Sequence, residues 1–153
     1  MTTIAYHHKS RVIAVDGMIT AGDLIASRDF QKWRVVGEEV WFICGAVADI
    51  DRLIAYHAKE LTGRPDYAVS CSALVAYNGE CYEAGVTQEG EPWRSLAPYS
   101  VAIGSGRDFA IAAMDHGKSA PESIKYAATR DTGTGGAISA LDIKTGQWVT
   151  INE

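Results

Sequence analysis

The sequence contains no apolar run near the roughly 20 residues that a helix needs to cross a bilayer. Its opening stretch, MTTIAYHHKSR, has no hydrophobic segment of the kind that marks an export signal. A helical membrane span and a secretory leader are thereby set aside, and the expected location is cytoplasmic. Cations are scarce, with 14 Lys and Arg against 19 Asp and Glu and a formal charge of −5. A nucleic-acid groove needs a concentrated basic face to displace phosphate counterions, so nucleic acid is not an expected partner. Cysteine is sparse and odd in number: Cys44, Cys71 and Cys81 match no CxxC metal or redox spacing and read as buried thiols. Cys71 and Cys81 could face each other across a hairpin, but a reducing compartment disfavours a disulfide there. Of the four histidines only His7 and His8 are adjacent, and strand neighbours point to opposite faces, so no metal site is expected. No repeat, linker or low-complexity segment interrupts the chain. Its glycine-rich turns match no complete P-loop or dinucleotide fingerprint, and no cofactor is expected.

What remains is an ordinary globular composition, 47% hydrophobic and 22% charged over 153 residues, enough for one domain spanning 1–153. Thr2 to Tyr6 and Arg11 to Val15 are β-branched and aromatic on either side of a polar turn, which predicts a hairpin closed by Asp16-Gly17. Met18 to Asp29 reads as an ordered loop. Lys32 to Val36 and Glu39 to Cys44 predict a second hairpin around Gly37-Glu38, and Asp49 to Leu61 has helical spacing at Ile50, Leu53, Ile54 and Ala58. Tyr67 to Tyr77 and Glu80 to Ala84 flank an Asn-Gly turn. Pro92 to Pro98 reads as loop and Tyr99 to Ile103 as a short strand. Two helices follow, one around Phe109 to Met114 and one opened by Pro121. A hairpin of Ala137 to Ile143 and Gln147 to Ile151 closes the chain. Hairpin links between neighbouring strands predict mostly antiparallel sheets, stacked in pairs and covered by helices.

Several residues are suited to chemistry. A threonine freed at an N-terminus carries its own base, because its α-amine lies beside its hydroxyl and titrates near neutrality. Thr2 would reach that state by removal of Met1, although many strands begin with threonine for no chemical reason. Lys32 is either a solvated strand lysine or a cation beside a nucleophile. Asp16 before Gly17 is either a turn former or the partner of such a cation. Gly45 meets the steric need of a tight strand-to-helix turn, and Ser105 stands where a helix cap would.

Six features come in a fixed order: Thr2, Asp16-Gly17, Lys32, Gly45-Ala46-Val47-Ala48-Asp49, Gly104-Ser105-Gly106 and Arg130-Asp131-Thr132-Gly133-Thr134-Gly135-Gly136. In this order, nearly end to end, the chain resembles the proteasome β-subunit family, which includes the bacterial peptidase HslV. Thr134 stands where the family has serine, the first hairpin turn is two residues shorter than in the bacterial relatives, and the missing length of the chain affects helices that normally build rings. The resemblance implies a four-layer α-β-β-α sandwich (α+β, the N-terminal nucleophile hydrolase fold) and a threonine-type endopeptidase. It implies catalytic roles for Thr2, Asp16, Lys32, Gly45, Ser105, Asp131 and Thr134. Thr20 to Gly22 and Gly45 to Val47 would flank an extended peptide. Ile19, Ile43 and Val47 would line a pocket for an apolar side chain. The implied partners are a peptide or unfolded-protein substrate, further copies of the chain in a ring, and, on the resemblance alone, an ATP-driven unfoldase. The rival readings are a catalytically silent shell subunit, in which Met1 stays in place, and an amidohydrolase using the same nucleophile on a small amide.

Overall fold

A computed structural model describes residues 1–151. The first hairpin, β1 (Thr3–His7) and β2 (Val12–Asp16), forms the centre of a five-stranded antiparallel sheet. Its neighbours are β10 (Val101–Gly104) beside β1, then β11 (Ile138–Asp142) and β12 (Gln147–Ile151) beyond β2. A second five-stranded sheet runs in sequence order through β5 (Trp33–Val36), β6 (Glu39–Gly45), β7 (Cys71–Tyr77), β8 (Glu80–Val86) and β9 (Pro92–Leu96). Every strand pair is antiparallel.

The sheets face each other across Ile4, Tyr6, Ile13, Val15 and Leu141 on one side and Phe42, Leu74, Ala76 and Cys81 on the other. Alternation along each strand supplies this face, since every second side chain points into the sandwich. Full burial of side chains such as Phe42 and Leu74 contributes about 1.5–3 kcal/mol each. At one edge Trp33 of β5 stacks on Trp148 of β12, with ring centroids 4.7 Å apart. The outer face of the first sheet, with Ala5, Ala14 and Ala140, is covered by α2 (Arg107–Asp115) and α3 (Ala120–Ala128) through Ala110, Met114, Ile124 and Ala127. Small residues on the sheet let these helices sit close. Ser119 and Glu122 form a capping box at the start of α3, worth about 1 kcal/mol. The outer face of the second sheet, with Trp41, Ile43, Ala73 and Val75, packs against α1 (Ile50–His57) through Ile50 and Leu53. The architecture is a four-layer α-β-β-α sandwich.

Four expectations need correction. Met18 to Asp29 is not a loop but carries a small separate hairpin, β3 (Ile19–Ala21) and β4 (Leu24–Ser27), turned at Gly22 with φ 61°. Pro92 to Leu96 is an edge strand; its exposed face hides the alternation that would have revealed it. The first helix begins as a 3-10 turn at Val47–Asp49 and stops at His57, because Lys59 takes φ 61° and turns the chain out of the helix before Leu61. Strand β7 starts at Cys71 rather than Tyr67, which places Cys71 opposite Gly45 while Cys81 pairs with Ala76. The two thiols therefore do not face each other, and all three cysteines are free.

Candidate active site

Thr2 immediately precedes β1 and is 4% exposed, at a cleft it shares with Gly45 at the end of β6. Its carbonyl accepts the Ser105 backbone N–H at 2.8 Å, which ties it to the Gly104-Ser105-Gly106 turn between β10 and α2. Its hydroxyl donates to the Met1 carbonyl oxygen at 2.7 Å. Lys32, just before β5, reaches the same oxygen with its ammonium at 3.2 Å. The threonine hydroxyl and a buried cation thus converge on one carbonyl oxygen.

Lys32 is only 4% exposed and Asp16, at the end of β2, only 1%. Their Nζ and Oδ1 atoms are 2.9 Å apart. The Asp16 carboxylate also accepts the Thr3 N–H on Oδ1 and the Gly135 N–H on Oδ2, each at 3.0 Å. Burial pushes the Asp16 carboxyl up, while Lys32 and the two backbone N–H groups pull it back. Burial holds the Lys32 ammonium below the ordinary lysine value, with Asp16 opposing. Every group facing the carboxylate is a donor, and these bonds oppose the effect of burial on the pair.

A second carboxylate, Asp131 in the turn after α3, accepts the Ser105 hydroxyl at 2.6 Å and the Thr134 hydroxyl at 2.5 Å on Oδ2. The Gly133 N–H reaches Oδ1 at 3.2 Å. Burial alone would raise Asp131, but the bonds from Ser105, Thr134 and Gly133 outweigh it and hold the group below the ordinary carboxylate range. Ser105 does not cap α2, whose N-cap is Gly106 without a side-chain bond. The methyl that Thr134 has beyond a serine leaves its hydroxyl on the carboxylate.

The opposite wall is Gly45, at the end of β6 with φ 117°. A Cβ at Gly45 would lie 2.2 Å from the Ser70 carbonyl oxygen, so only glycine fits this turn. A cleft of about 220 Å³ runs from Met1, Thr2 and Lys32 past Gly45 and Val47. Ile19, Thr20 and Ile43 line it as expected, whereas Gly22, at the tip of the β3–β4 hairpin, does not. Ala46, within the expected Gly45 to Val47 edge, lines it too, and the sequence reading missed Phe30 and Ile50. Phe30 lies between Asp29 and Gln31 and Ile50 between Asp49 and Asp51, so no local pattern marks either as cleft-lining. The histidines are engaged elsewhere: His7 with Ser10, His8 with Tyr6, His57 with the Gly85 carbonyl and His116 with the Ala112 carbonyl. Among the described residues no cluster of His, Cys, Asp and Glu could hold a metal ion, and no helix is long and apolar enough to cross a membrane.

Comparison with solved structures places the fold. HslV from Trypanosoma brucei superposes with a TM-score of 0.66 at 22% identity, covering 99% of this chain and 100% of that one. The fold is that of HslV. BPH of Thiobacillus denitrificans, solved in complex with epoxomicin, matches with a TM-score of 0.68 at 16% identity over 99% of this chain and 98% of its own. No family model matches the sequence, and no curated protein does. The HslV fold therefore came through the order of a few residues and the layer pattern, not through overall sequence similarity.

Proposed function

We propose that the chain is a threonine-type endopeptidase of the proteasome β-subunit and HslV family, with Thr2 as nucleophile once Met1 is removed. One observation carries the reading: the Thr2 hydroxyl and the buried Lys32 ammonium meet on a single carbonyl oxygen at the head of a cleft. A peptide carbonyl entering that cleft would be attacked by the Thr2 oxygen. Lys32, oriented by Asp16, lowers the cost of the developing alkoxide. The Gly45 N–H donates to the oxygen of the tetrahedral intermediate. The freed α-amine, held near Asp131 with Ser105 and Thr134, takes the hydroxyl proton and passes it to the departing amine. The peptide C–N bond breaks, a threonine ester forms, and water then hydrolyses that ester. No step needs a metal or organic cofactor.

In this reading the substrate is a peptide or unfolded protein, laid as a strand between Thr20 on one side and Gly45 to Val47 on the other. Ile19, Ile43 and Val47 receive an apolar side chain. The assembly is a homo-oligomeric ring in the cytoplasm, fed by an ATP-dependent unfoldase. Turnover of fluorogenic peptides with an apolar residue before the cut tests the reading. Wild type should release the fluorophore and Thr2→Ala should not; equal turnover in the two proteins would overturn it.

The alternative is a catalytically silent subunit. It would follow if Met1 stays in place, because the Thr2 nitrogen would then remain in a peptide bond and could not act as the base. Failure to remove Met1 from the protein as purified from cells would support it.

A further inference from the structure

Thr3, immediately after the candidate nucleophile, is fully buried and takes part in both hydrogen-bonded networks of the site. Its backbone N–H holds Oδ1 of Asp16 at 3.0 Å. Its hydroxyl lies 2.6 Å from the Thr134 hydroxyl. The direction of that second bond follows from proton counting. Thr134 has one hydroxyl proton and spends it on Asp131, so its oxygen is the acceptor and Thr3 is the donor. The chain runs Thr3 to Thr134 to Asp131, with Ser105 donating to the same carboxylate oxygen from the other side. Gly106 makes room for it, since a Cβ there would fall 2.2 Å from the Thr3 hydroxyl oxygen and 2.9 Å from that of Thr134.

We propose that Thr3 is a positioning residue: its hydroxyl fixes the Thr134 proton on Asp131 and so keeps that carboxylate charged beside the α-amine. A donor behind Thr134 polarises the Thr134 O–H and blocks the rotation that would turn its proton away from the carboxylate. Removing the Thr3 hydroxyl leaves a buried Thr134 oxygen with an unmet acceptor and a proton free to swing. The charged form of Asp131 then loses support. Two other charges act on Asp131, the α-amine at Met1 and the Lys32 ammonium, and neither touches Thr3. Arg107, at the start of α2, turns instead to the Gly104 carbonyl and to Asp108. A purely structural Thr3 would affect stability and leave the Asp131 titration where it is.

The role of the α-amine rests on the peptidase reading, but the hydroxyl chain can be tested without it. The carboxyl carbon of Asp131, assigned with Asp131→Asn, is followed by NMR through an acid titration of the full chain. Thr3→Val, close in shape but lacking the hydroxyl, should move the Asp131 midpoint up by about half a pH unit, a threefold change in proton affinity. Thr3→Ser should restore it. If Thr3→Val does not fold, Thr3→Ala removes the same proton with less crowding. An unchanged midpoint in the folded variant overturns the proposal. With an active wild type, the acid limb of its pH–rate profile should shift by the same amount in Thr3→Val. If the midpoint shifts while the wild type is inert at every pH, the hydroxyl chain stands and the peptidase reading fails.

Discussion

The floor and the rim of the cleft are built on different terms. The floor, Thr3, Asp16, Lys32 and Thr134, is at most 4% exposed. Its side chains hold one another through bonds of 2.6 to 3.0 Å, and no buried side-chain nitrogen or oxygen among the described residues lacks a partner. The rim, Val47 on its 3-10 turn and Ile19 on β3, is apolar and more open, with Val47 52% exposed. The difference separates chemistry from recognition. A dry, fully bonded floor keeps a cation and a hydroxyl in one geometry, while an apolar rim with few fixed partners can take different side chains.

Breaking the floor should have the largest effects. Lys32→Ala should lower peptide turnover at least about a thousandfold. It should also destabilise the fold by about 3 kcal/mol in urea melts, because the buried Asp16 carboxyl loses its cation. Gly45→Ala comes next. The positive φ and the close approach of the Ser70 carbonyl should cost at least about 2 kcal/mol and displace the wall of the cleft, reducing turnover with it. A rim change such as Val47→Ala should alter the preferred residue before the cut while shifting stability by less than about 0.5 kcal/mol, as read from a peptide library and a melt.

A smaller effect lies far from the cleft, in the pH dependence of stability. Burial holds His57 below its ordinary value of 6.5, with the Gly85 carbonyl opposing. Hydrogen bonds from Arg94 hold Glu39 below its ordinary 4.5. Both groups are depressed in the folded chain, so each contributes stability that is present above its unfolded value and is lost as pH falls through the folded one. The urea midpoint should therefore begin to fall near pH 6.5 through His57 and fall further below about pH 4.5, where Glu39 and the other depressed carboxylates, Asp49 and Asp131 among them, take up protons. His57→Gln should remove the first step alone. A midpoint that is flat from pH 7 to 5 in the wild type would contradict this assignment.

The parts of the molecule legible in the sequence are those where one constraint dominates. The apolar run of Glu39 to Cys44 announces a central strand, and Asn78-Gly79 announces a hairpin, because burial in one case and backbone geometry in the other leave little choice. The fold class followed from such elements, and the HslV superposition bears it out. Strand β9 and the β3–β4 hairpin escaped notice because their side chains are mostly exposed and show no alternation. The end of α1 was misplaced because helical spacing continues to Ala58 while the backbone turns at Lys59. Of the named site residues, Thr2, Ile19, Thr20, Lys32, Ile43, Gly45 and Val47 line one cleft, and Asp16, Ser105, Asp131 and Thr134 join it through hydrogen bonds, whereas Gly22 does neither. Phe30, Ile50 and Thr3 were missed because nothing local distinguishes a cleft-lining or relay residue from ordinary core; only the fold brings them together.

The central claim is that Thr2 becomes a free, reactive N-terminal residue. The direct measurement is the intact mass of the purified protein before and after treatment with an epoxyketone, which couples to both the hydroxyl and the amine of an N-terminal threonine. The account predicts loss of Met1 and one adduct per chain, absent from Thr2→Ala. A chain that retains Met1 and takes no adduct would contradict it and leave the silent-subunit reading.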